Sequence, residues 1–136
     1  MSVSEVTWTP ASAASWARAL YSDAVDQMNA AGFAAVFTDD AWMRFGNADP
    51  VVGKPAIEAA LAQFFTAFLS LRHELRGIAA HADTLFVEAT VTYTRHDAGI
   101  VSVPSMTVFN MIERDGQRLA ERCQVYVDLA PLYAPS

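Results

Sequence analysis

Only one cysteine, Cys123, stands in the chain, so no intrachain disulfide can form and a reducing compartment is the default. Basic residues are few: nine Lys and Arg against fifteen Asp and Glu, a net charge of −6 with no Lys/Arg cluster. That balance argues against a nucleic-acid surface and against docking on an anionic membrane. No apolar run reaches the roughly twenty residues that a membrane-spanning helix needs. The start, MSVSEVTWTP, has neither a basic segment nor an apolar core, which predicts no secretory leader and a cytoplasmic setting. Histidines number three, and no His/Cys/Asp/Glu spacing suggests a metal. No Gly-rich loop suggests a nucleotide phosphate, so no cofactor is expected.

What is present is apolar. Hydrophobic residues make up 53% of 136 positions and charged ones 18%. The length fits one domain, 1–136, and the apolar surplus implies a lined cavity, an apolar subunit interface, or both.

Residues 1–8 lack periodicity. Thr9-Pro10 then reads as a helix start, Thr as N-cap and Pro in the first turn. Ala13, Trp16, Ala17, Leu20, Tyr21, Ala24 and Met28 recur at helical spacing on one face, and Gly32 reads as the closing residue. Phe33–Phe37 gives one further turn. Thr38-Asp39-Asp40 reads as a turn before a strand at Ala41–Phe45, with Val51-Val52 a short return. A second helix opens near Pro55 and carries Ile57, Leu61, Phe64, Phe65 and Phe68 as a wide apolar stripe. From Ser70-Leu71-Arg72-His73 onward the period falls to two. Strands are predicted at Leu71–Ala80, Leu85–Arg95, Ile100–Glu113 and Arg118–Leu129, joined by tight turns, with Pro104 at a bulge or edge. Helices segregated on one face of a bent antiparallel sheet make an α+β domain with room for a cone-shaped cavity.

The segments FTDDAWMRFGN (37–47), VVGKPAI (51–57), LRHEL (71–75) and VYVDLAPLY (125–133), in this order of elements, resemble the nuclear transport factor 2-like superfamily, in its SnoaL-like branch. The resemblance covers nearly the whole chain. It implies a conical, cystatin-like α+β barrel, a curved antiparallel sheet wrapped round helices. It also implies a pocket on the concave face and a homodimer through the convex one. Its chemistry stays open, because the superfamily hosts isomerases, dehydratases, epoxide hydrolases, cyclases and non-enzymatic modules.

His73 is the only histidine outside a predicted turn. An imidazole at the mouth of an apolar cone suits proton abstraction; a structural histidine at a helix–strand junction is the bland alternative. In the similar hexachlorocyclohexane dehydrochlorinase, a histidine after the same helix works with an aspartate near the end of the first helix. Matching LYSD (20–23) and DDA (39–41) places Asn29 at that aspartate and Ala24 at its basic partner position. Asp26 falls opposite the centre of the Ala17/Leu20/Ala24/Met28 stripe at 100° per residue, and reads as solvated. Tyr21, on the apolar face, could donate to a substrate oxygen or simply complete the core. The ketosteroid isomerase base and phenol positions fall on Phe45 and Ala24, and limonene epoxide hydrolase's last-strand aspartate on Val125. Both mechanisms lack their parts. Met43, Phe45, Phe64, Phe68, Met106 and Met28 are the expected pocket walls.

Two functions stand side by side on these residues. One is a cofactor-independent lyase, isomerase or cyclase acting on a small apolar cyclic or polyketide-like molecule, with His73 as acid/base, Asn29 orienting it and Tyr21 polarising a carbonyl or hydroxyl. The other is a non-catalytic module that binds an apolar ligand or assembles as a dimer.

Overall fold

The computed structural model describes residues 3–4 and 6–135. The elements are β1 (Val3–Ser4), α1 (Pro10–Leu20), a π-helical turn (Tyr21–Val25), α2 (Ala30–Ala34), β2 (Phe37–Phe45), β3 (Val51–Val52) and α3 (Lys54–Phe65). Then follow β4 (Ser70–His81), β5 (Thr84–Thr94), β6 (Ile100–Arg114), β7 (Gln117–Val127) and α4 (Ala130–Tyr133). The sheet runs β3-β2-β7-β6-β5-β4, curved and unclosed, with β1 paired on β6. The expected meander of four antiparallel strands is present, within two residues at each end. β2 returns parallel to β7, so the helical half folds back onto the sheet. This is the α+β fold the period change implies.

Alternation explains how the sheet faces its two sides. On β5, Leu85, Val87, Ala89, Val91 and Tyr93 point to the helices and are buried. On β6 the same phase buries Val103, Ser105, Thr107, Phe109 and Met111. From α3, Ile57, Leu61 and Phe65 close the core, each side chain worth about 1.5–3 kcal/mol when fully buried. Pro104 sits one residue before β7 begins to pair at Ser105, so its missing N–H leaves no gap in that ladder.

α1 starts at Thr9 with a full capping box: Ser12 N–H donates to Thr9 Oγ1 at 3.0 Å and Thr9 N–H to Ser12 Oγ at 2.9 Å. The helix does not run on to Gly32 as periodicity suggests. After Leu20 its bonding slips to i→i−5, with Asp26 N–H donating to Tyr21 O at 2.8 Å, and Met28 at φ 55° ends it. Gly32 instead lies inside α2, where a Cβ would come within 2.5 Å of Asn29 Nδ2. The predicted turn at Thr38–Asp40 belongs to β2, and the register shift between Phe37 and Trp42 absorbs it.

Candidate active site

The π-helical turn places the decisive carboxylate. One extra residue in a turn rotates everything after it by roughly 100° relative to an ideal α-helix. Asp26, solvated by the ideal-helix reading, is thereby swung onto β4. β4 is an edge strand of the sheet path, and the His73 N–H needs an acceptor other than β5. Asp26 supplies it, with both oxygens accepting from His73 N–H at 3.1 and 3.0 Å. The same Oδ1 lies 2.6 Å from His73 Nδ1. Both side chains are largely buried. A carboxylate at Nδ1 favours the tautomer protonated there, which leaves Nε2 as the free base of a ring lining the cavity.

Tyr21 begins the same π-helical turn, and its ring lies 4.6 Å from the His73 ring, tilted by 43°. Burial pushes the phenol's pKa far above its ordinary value, and a hydrogen bond with the Thr107 side chain only partly offsets this. Tyr21 is therefore a donor, not a phenolate.

The cavity lies between α3, the π-helical turn and the concave face of the sheet. Its walls are apolar: Met43, Phe45, Leu61, Phe64, Val91 and Val125 among others. The polar groups in it are few: His73, Tyr21, Tyr93, Ser105 and Thr107. Its free volume is about 40 Å³, room for roughly three waters. Among the described residues no three His, Cys, Asp or Glu side chains converge as metal ligands. None of their helices is long and apolar enough to cross a membrane.

The sequence-predicted set separates clearly. His73, Tyr21, Met43, Phe45 and Phe64 meet around one cavity. Asn29 does not join them. It is the N-cap of α2, its Oδ1 accepting from Gly32 N–H at 3.0 Å, and it faces a surface depression beside Trp16 and Asp23. Asp26 holds the place expected of Asn29. Phe68 is buried behind the wall, stacked on Phe64 and Tyr93. Met28 sits at the helix break, outside the cavity. Met106 faces the other side of the sheet and is 36% exposed, because Ser105 and Thr107 on either side of it point inward. Sequence reasoning missed Ser105, Thr107 and Tyr93; strand phase taken from Phe109 and Met111 would have found the first two.

A family model for the SnoaL-like domain matches residues 17–121. No curated protein sequence matches the chain. Among solved structures, a candidate SnoaL-like polyketide cyclase from Jannaschia sp. CCS1 superposes at TM-score 0.72 with 19% identity, covering 98% of this chain and 99% of its own. A candidate scytalone dehydratase from Novosphingobium aromaticivorans gives TM-score 0.73 at 16% identity, covering 85% and 82%. A protein from Catenulispora acidiphila, solved in complex with S-DNPA, gives TM-score 0.66 at 26% identity, covering 85% and 91%. With a family match over most of its length and this fold, the chain belongs to the SnoaL-like family of the nuclear transport factor 2-like superfamily.

Proposed function

We propose that the protein is a cofactor-independent acid–base enzyme acting on a small apolar cyclic or polyketide-like carbonyl compound. The observation that carries this reading is the Asp26–His73 contact at 2.6 Å, opening on an apolar cavity with Tyr21 beside it. Asp26 fixes the ring and stabilises the imidazolium that forms on proton uptake. His73 Nε2 takes a proton from a carbon next to the carbonyl. The C–H electron pair becomes the C=C of an enolate, whose oxygen accepts a hydrogen bond from Tyr21. The imidazolium then returns its proton. Where a neighbouring C=C extends the enolate to a dienolate, delivery to its far carbon gives an isomer; delivered to a departing β-hydroxyl, it gives water and an alkene. Attack of the enolate carbon on a second carbonyl closes a ring, and the imidazolium proton passes to the alkoxide oxygen that this leaves. Relatives whose names include a polyketide cyclase and a dehydratase fit this range.

The test is deuterium uptake in D₂O, followed by NMR across a panel of cyclic ketones and β-hydroxyketones. Wild type should exchange the α-proton, and His73→Ala should not while keeping its melting temperature. Exchange at equal rates in both would overturn the reading.

The mainly apolar lining of the cavity supports a second reading, a binding or assembly module of the same fold. It is distinguished by retention of an apolar ligand that stays unchanged on incubation. Under either reading we propose a homodimer through the convex sheet face. There Met106 and Tyr126 pair across strands, 36% and 56% exposed, next to the Arg122 guanidinium stacked on Trp42. Sedimentation at twice the 14.8 kDa chain mass, reduced to one by Tyr126→Asp, is the expected result.

A further inference from the structure

The cavity at His73 is too small for the substrate that its chemistry suits. A single benzene ring occupies a cavity on the order of 150 Å³, against the 40 Å³ free here. Immediately outside lies a second cavity of about 380 Å³, reaching Asp49, Val51, Ala60, Leu129 and Tyr133. The two share four walls: Met43, Phe45, Leu61 and Phe64. Within that shared partition, Phe45 and Phe64 meet with ring centroids 4.8 Å apart. Both sit at element ends. Phe45 is the last residue of β2, just before Gly46 at φ 57°, and Phe64 lies one residue from the end of α3. Both are only half-buried, whereas Met43 and Leu61 are buried. They are thus the less buried half of the partition, although Phe64 also meets the rings of Phe65, Phe68 and Tyr93.

The outer chamber has a floor and a rim. α4, which contributes Tyr133, is tied to the sheet by Arg95 Nη1, which donates to Leu132 O at 3.1 Å and Ala134 O at 2.7 Å. Asp128 Oδ1 accepts from Ala130 N–H at 2.9 Å and fixes the start of α4. The chamber's walls are mainly apolar, with the Asp49 carboxylate and Tyr133 phenol at the edge. A cavity of this size lies in the usual range for a small-molecule site, and the inner one alone does not.

Resting on the acid–base reading above, we infer that the outer chamber is a substrate subsite and that the Phe45–Phe64 ring pair is its gate to His73. The ligand is a flat bicyclic or larger aromatic molecule with a carbonyl or hydroxyl edge. That edge passes between the parted rings to His73 and Tyr21. The remaining ring stays in the outer chamber, sandwiched by Phe45, Phe64 and Tyr133. Single-ring compounds lack the part that holds the gate open, so ring count sets selectivity.

Binding of 2-naphthol and of phenol to the purified protein tests this without any turnover. The titrations use wild type, Phe64→Ala and Ala60→Trp, each checked by its melting temperature. Ala60 lines the outer chamber and not the inner cavity. Wild type should bind 2-naphthol at least tenfold more tightly than phenol. Ala60→Trp should abolish that preference by weakening 2-naphthol alone. Phe64→Ala should speed 2-naphthol association at least tenfold in stopped-flow fluorescence. Binding requires no proton transfer, so a failure of the deuterium-exchange test leaves this result standing. Absence of saturable 2-naphthol binding at millimolar concentration, or equal loss of both probes in Ala60→Trp, would overturn the subsite. Unchanged 2-naphthol association in Phe64→Ala would overturn the gate, and should that variant not fold, Phe64→Leu takes its place with the same two outcomes.

Discussion

Asp26 clasps His73 at two points: its carboxylate accepts the strand's backbone N–H at 3.0 Å and meets the ring at Nδ1, 2.6 Å away. A single side chain thus ends an edge-strand vacancy and sets an imidazole tautomer. The two roles come apart under mutation. Asp26→Asn keeps an oxygen for the N–H but removes the charge opposite the imidazolium. Its stability should stay within about 1 kcal/mol of wild type, while α-proton exchange falls by about 10²–10⁴. Asp26→Ala loses both and should cost a further 1–2 kcal/mol, roughly, by leaving the N–H without its acceptor. Urea melts beside exchange rates separate the two. Equal activity in Asp26→Asn and wild type would show that the pair is only structural.

Tyr21→Phe tests the donor on the other side of the ring. The ring volume is kept, so packing survives, and the lost bond with the Thr107 side chain costs about 0.5–1.5 kcal/mol. A carbonyl polarised by the phenol should lose about 10²–10³ in kcat with little change in KM, the pattern of an interaction made in the transition state. An effect confined to KM would assign Tyr21 to binding alone.

Asn29→Ala separates what the linear match implies from what the fold does. In the fold, Asn29 caps α2 and stands away from His73. The expected outcome is a loss of about 0.5–2 kcal/mol in stability with unchanged exchange activity in the folded protein. A drop in activity at constant stability would return Asn29 to the site.

Much of this was legible in the chain, and the misses share a cause. Period-two alternation from Leu71 onward gives the meander, because a strand with one buried face must repeat every second residue. The stripe from Ile57 to Phe65 gives the helix that fills the cone, which ends before Phe68. Thr9-Pro10 announces its cap by residue type alone. Asp26 was hidden because a constant 100° per residue cannot anticipate a turn bonded i→i−5, and no side chain in YSDAV signals one. Met106 was misplaced because hydrophobicity favoured it inside, whereas strand phase puts the smaller, polar Ser105 and Thr107 there. Local bonding slips and strand phase are properties of the assembled fold, and they are what converts a greasy cone into a candidate site.

Alkaline pH provides the last prediction, through groups the fold keeps neutral. Cys123 is fully buried, and its thiol is pushed far above its ordinary value of 9.0 by desolvation. Tyr93 and Tyr21 are pushed up likewise from 10.0, again chiefly by burial. In the unfolded chain these groups release protons near their ordinary values, while in the folded chain they hold them. Above about pH 9 the folded state therefore binds more protons than the unfolded one, and stability must fall as pH rises. The contribution is complete below those ordinary values and drains away through the alkaline range. Cys123→Ala removes the first of these groups at the price of a small cavity. It should lower stability at pH 7 by about 1 kcal/mol, yet narrow the gap to wild type between pH 9 and 11. Parallel stability curves for the two proteins across that range would show that the thiol stays unlinked to folding.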